Sequence, residues 1–63
     1  MYLLAKVKKK VYGHNAQVYE IKKDGHYQKL FLVATFKGFP KFQMLKKAIG
    51  NFAKSGTTIF YTK

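Results

Sequence analysis

Apolar and polar residues alternate with a period of two from Tyr2 to Tyr12, the repeat of a strand with one buried face. Leu3, Ala5, Val7 and Val11 fall on one side, and Tyr2, Lys6, Lys8, Lys10 and Tyr12 fall on the other. This predicts a first strand over 2–12, with Leu4 and Lys9 as the exceptions to the pattern. Gly13-His14-Asn15 reads as a turn, and strand content resumes over 18–23 with Val18, Tyr19 and Ile21. Asp24-Gly25 then carries the composition of a two-residue hairpin turn, in which both central residues take positive φ. The stretch 27–36, rich in β-branched and aromatic residues, predicts a third strand.

A turn at Asp24-Gly25 fixes a register. Tyr19 then faces Leu30, and Tyr19, Ile21, Leu30, Leu32, Ala34 and Phe36 share the core face. Val18, Glu20, Lys22, Tyr27, Lys29, Phe31 and Val33 share the other face, with Glu20 directly opposite Lys29. A three-residue first turn brings Val7 and Val11 to the core and sets Lys8 opposite Glu20. A slip of one residue reverses these faces, because strand side chains alternate.

The period changes after Gly38-Phe39-Pro40. Phe42, Leu45, Ile49 and Phe52 recur at spacings of three and four, the apolar stripe of a helix. Pro40 suits the first helical turn, where its missing N–H costs nothing. Gly50 costs about 1 kcal/mol against alanine inside a helix, so close packing on the sheet is the expected reason for it. Ser55-Gly56 is a stop signal, and 57–62 reads as a fourth strand. The order β-β-β-α-β predicts the α+β class: a small two-layer domain, an antiparallel β-sheet with one helix packed on one face. At 63 residues the chain 1–63 forms a single domain, since a body of this size buries only about 60% of its unfolded surface.

Charge changes the picture from a generic small domain. The chain carries 13 basic and 2 acidic residues, a formal net charge of +11, and every basic residue is a lysine. A hydrophobic content of 48% excludes a disordered basic tail. So large a charge on so small a body points to a polyanionic partner. Nucleic acid, DNA before RNA, is the expected partner. The sheet face away from the helix is its expected site, formed by Lys6, Lys8, Lys10, Tyr12, Lys22, Tyr27, Lys29 and Phe31. Ammonium groups neutralise phosphates and release counterions, while tyrosine and phenylalanine rings stack on unpaired bases. Lysine lacks the planar fork with which arginine reads guanine, so low sequence specificity is expected. An A·T-rich genome, as of a virus, plasmid or low-G·C microbe, produces the same lysine bias without any function.

Other classes find little support in the sequence. Glu20 and Asp24 are the only acidic side chains, and the expected hairpin makes one a cross-strand charge partner and the other a turn residue, not an acid/base or metal-binding dyad. His14 and His26 fall in turns at opposite ends of the middle strand, too far apart for a catalytic pair. Neither a phosphate loop nor zinc-ligand spacing occurs, so the protein is read as a non-enzyme with no cofactor and no metal. There is no cysteine, and no apolar run reaches the roughly 20 residues of a membrane helix, so a cytoplasmic location without membrane association is expected. Two alternatives use the same basic surface: an adaptor or inhibitor that grips an acidic protein, and a ribosome- or RNA-associated structural protein. A homodimer through the open face is the competing use of its aromatic rings.

Overall fold

The computed structural model describes residues 1–62. Strand β1 spans Tyr2–Lys10, β2 Gly13–Asp24 and β3 Tyr27–Phe39; helix α1 spans Phe42–Phe52 and β4 Thr58–Thr62. The strands form one sheet in the order β3-β2-β1-β4. The first three are mutually antiparallel, and β4 joins the free edge of β1 in parallel. The two-layer α+β arrangement read from the sequence is therefore the fold. The sheet is mixed because the β3-α1-β4 connection carries the chain back over the sheet, and β4 then runs the same way as β1.

The helix is seated by its stripe. Leu45 and Ile49 are completely buried, while Phe42 and Phe52 flank them and stay partly exposed. Beneath them lie Leu3, Ala5 and Val7 of β1 and Ala16 and Val18 of β2, all buried, with Ala34, Phe36, Phe39, Ala53 and Ile59 packed around the rim. The floor is made of small residues: Ala5 pairs with Val18, Val7 with Ala16, and Val18 with Ala34. Short side chains let the helix approach the sheet closely enough for Leu45 and Ile49 to be fully buried against it.

Both turns differ from the sequence expectation. The first is Val11-Tyr12, since Lys10 pairs with Gly13. Val11, expected in the core, is 98% exposed, and Lys8 lies opposite Asn15 rather than Glu20. Gly13 closes this turn at φ 138°, where a Cβ would stand 2.5 Å from the carbonyl oxygen of Phe39. The second turn is Gly25-His26, with Asp24 paired to Tyr27. A turn centred on Asp24-Gly25 would force positive φ on Asp24. Instead glycine takes the first central position at φ 62°, and among the described residues no non-glycine residue adopts positive φ.

The larger correction concerns the faces. Tyr19 and Ile21 were expected in the core and Val18 outside it, yet Val18 is fully buried. Leu30 and Leu32, also expected inside, are 44% and 55% exposed. Two features are the cause: the Val11-Tyr12 turn sets Val18 opposite Ala5 on the core face of β1, and a bulge in β3 pairs Val18 with Ala34 but Tyr19 with Leu32, leaving Val33 as the extra residue. Ala34 and Phe36 thus face the helix as expected, while beyond the bulge Leu30 and Leu32 turn to the open face. Phe31, Lys29 and Tyr27 turn to the helix side, and Glu20 lies opposite Phe31 rather than Lys29. A second irregularity between His14 and Ala16 is tied by the Gly38 N–H, which donates to Asn15 Oδ1 at 2.9 Å.

The helix also differs at two points. Pro40 precedes it, with Lys41 as the N-cap residue making no side-chain capping bond. Gly50 is exposed rather than packed on the sheet, and a Cβ there would meet nothing within 4 Å. Replacing Gly50 by alanine is therefore expected to stabilise the fold by about 0.5–1 kcal/mol. Gly13→Ala should destabilise it through positive φ and the clash with Phe39. Urea unfolding checks both, as opposite shifts in midpoint.

Candidate nucleic-acid interface

Side-chain alternation on β1 grades the open face along one strand. Tyr2, Leu4, Lys6, Lys8 and Lys10 point to this side, running from aromatic and aliphatic to basic. Successive lysines on one strand face stand about 7 Å apart. The neighbouring strands extend both halves. At the basic end, Gln17, Thr35 and Lys37 join Lys6, Lys8, Lys10 and Asn15 around a shallow trough of about 180 Å³. Its lysines are exposed, and both acidic side chains of the chain lie elsewhere, on the distal half of β2.

At the other end the face is aromatic. The parallel register sets Phe60 of β4 beside Leu4, and its ring stacks on that of Tyr2 at 6.1 Å between centroids and 26° between planes. Both rings are half exposed, at 54% for Tyr2 and 48% for Phe60. Tyr19 lies between the two halves. Its hydroxyl donates to Gln17 Oε1 at 2.9 Å, and the Lys6 ammonium sits 5.3 Å from its ring centroid. These contacts hold the Tyr19 ring in place and station a cation beside it. Leu30 and Leu32, brought here by the bulge, border the aromatic end.

The residues expected to form one site are divided between two faces. Lys6, Lys8 and Lys10 stand together on the open face, and Tyr12 lies at the adjoining turn, 88% exposed. Lys22, Tyr27, Lys29 and Phe31 sit on the opposite side; the first three are on the part of the β2–β3 hairpin that runs past the start of β1, and Phe31 lies across Glu20 from Leu3. There the Lys22 ammonium is 3.7 Å from Glu20 Oε1 and 5.5 Å from the Phe31 ring centroid. The two-residue Val11-Tyr12 turn accounts for the division: its register sets even-numbered β2 residues on the face of odd-numbered β1 residues, and Tyr27, Lys29 and Phe31 follow their β2 partners.

The open face also gains Lys37, Gln17, Tyr19 and Phe60, which were not expected to be part of it. Alternation in Thr58-Ile59-Phe60-Tyr61-Thr62 was visible in the chain, but the face that Phe60 joins depends on the pairing with β1. His14 and His26 are at opposite ends of β2, as the sequence implied. Among the described residues no group of three or more His, Cys, Asp or Glu side chains could hold a metal ion, and no helix is long and apolar enough to cross a membrane. Compared with protein-family models, curated proteins and solved structures, the chain matches none.

On the hairpin, Lys22 and Lys29 are directly opposed, a like-charge pair that works against the sheet. Lys29→Glu is expected to stabilise the fold by about 0.2–1 kcal/mol. The gain should shrink as salt is raised, because the pair is exposed and screened; denaturant melts at two ionic strengths measure it.

Proposed function

We propose that the open sheet face binds nucleic acid, preferring single strands to duplexes, with DNA as the first substrate to test. The observation that carries this reading is the grading of one face from a stacked ring pair, Tyr2 and Phe60, to a four-lysine trough free of carboxylates. A single strand laid along this gradient places phosphates over Lys6, Lys8, Lys10 and Lys37 and unpaired bases on Tyr2, Phe60 and Tyr19. Stacking of this kind contributes about 1–3 kcal/mol per base and tolerates any base. Gln17, Asn15 and Thr35 add neutral hydrogen-bonding groups beside the lysines.

A duplex can use the same lysines but hides its base faces, so the rings gain little from it. Sequence reading is expected to be weak, since the lysines are mobile point charges and the chain has no arginine.

Fluorescence anisotropy with an oligothymidine and a duplex of equal length tests this reading. Four neutralised phosphates give a slope of about −3 for log K against log salt on single strands, or roughly 50-fold weaker binding between 50 and 200 mM salt. Replacing the four lysines by alanine should flatten that slope. Binding that ignores salt, or no binding to either form, would overturn the reading.

The rings are tested separately. Tyr2→Ala and Phe60→Ala should each weaken single-strand binding by about 5- to 150-fold, the equivalent of 1–3 kcal/mol, and barely touch duplex binding. Equal losses on both forms would mean that the rings support the sheet rather than stack on bases.

A further inference from the structure

A second, larger hollow lies on the helix side and shares Lys8 and Lys10 with the trough. It is a cleft of about 890 Å³ between the second half of β1, the end of β4 and the start of α1. Its lining includes Val7, Lys8, Lys9 and Lys10 in succession. Alternate residues would mean that a strand lines a cavity with one face; four consecutive residues mean that it does so with its edge. The ladder explains why that edge is accessible. Among the described residues β4 pairs with β1 from Tyr2↔Thr58 to Lys6↔Thr62, and the β4 side of β1 beyond Lys6 meets no partner strand formed by those residues. Backbone N–H and C=O groups on such an edge are a template for another strand.

The walls add chemistry. Phe42 and Tyr61 meet edge to face at 6.1 Å, and the Lys46 ammonium sits 5.7 Å and 5.6 Å from their ring centroids. His14, 6.0 Å from Phe42 between ring centroids, has a buried Nδ1 with no hydrogen bond. Burial pushes the Tyr61 phenol above its ordinary value of 10.0, so it remains a neutral donor. Every charged side chain lining the cleft is a lysine.

We propose that this cleft receives an extended, acidic peptide segment of a partner protein, which adds as a strand to β1 beyond Lys6, in line with β4. Main-chain hydrogen bonds to the β1 edge would supply the grip and alternate side chains the selectivity. Residues on one side of the added strand would meet Phe42 and Tyr61, and acidic residues would meet the lysines. A nucleic acid strand fits this place poorly, because its phosphates only accept hydrogen bonds and would oppose the carbonyls of the edge. A second copy fits poorly as well, since each carries +11 and only two acidic side chains.

The test uses the whole chain and a capped peptide of alternating Glu and Val, about six residues long, the length of a common strand. Two controls accompany it: a Lys-Val peptide and a Glu-Val peptide N-methylated at alternate residues. Saturable binding of the Glu-Val peptide is expected, with slowed amide exchange within residues 7–10. Both controls and the Lys9→Glu variant should bind at least about tenfold more weakly. Undiminished binding of the N-methylated peptide, protection along β3 instead of β1, or no binding of the Glu-Val peptide would overturn the proposal. Displacement of the peptide by an oligothymidine that protects the same amides would also overturn it, by assigning the cleft to the nucleic-acid surface.

Discussion

Leu45 and Ile49 lose all contact with solvent only because the sheet beneath them is floored by alanine and valine, and the remaining placements depend on that seating. Among the described residues seven make up the buried core. With so few, the helix has one position in which both large side chains are covered, over the β1–β2 pairing of Ala5 with Val18 and Val7 with Ala16. Moving Tyr19 and Ile21 to that face would lift the helix from the sheet and leave gaps that a domain of this size has little other burial to offset. The small floor therefore selects which face of β2 is inside.

Once that choice is made, β3 has to reconcile two demands. Ala34 and Phe36 join the core, yet the strand continues for several residues past the end of the helix. The extra residue at Val33 lets it do so. It turns Leu30 and Leu32 to the open face beside Tyr2, Tyr19 and Phe60, and sends Lys29 and Phe31 to the far side of the hairpin. Leu30 and Leu32 thus owe their place there to a backbone irregularity, while the rings of Tyr2, Tyr19 and Phe60 are set by the pairings of β1 with β2 and β4. Lysines fill the other end because the bulge lies outside β1, whose alternation runs unbroken from Tyr2 to Lys10.

The two carboxylates lie on the distal part of β2, so the positive field is strongest at the opposite end, around Lys8, Lys9 and Lys10. That end serves two surfaces, since alternation gives Lys8 and Lys10 to the trough while the strand edge with Lys9 lines the cleft. The run of three lysines is a single basic segment shared by both. Lysine is suited to such sharing because its long flexible stem can carry the charge to either side of an edge.

Element types and their order were legible in the chain, because a period of two or of 3.6 is local and survives any packing. The helix stripe, the alternation of β1, the assignment of Lys6, Lys8 and Lys10 to one face and the excess of lysine were all determined by sequence alone. Tertiary structure decided the register, and with it which of Val18 and Tyr19 is buried, where Lys22, Tyr27, Lys29 and Phe31 point, and that Phe60 stacks on Tyr2. The physical reason is that strand alternation fixes two faces without saying which is inside. A turn shifted by one residue or a single bulge exchanges them, at a local cost small beside the burial gained by seating the helix.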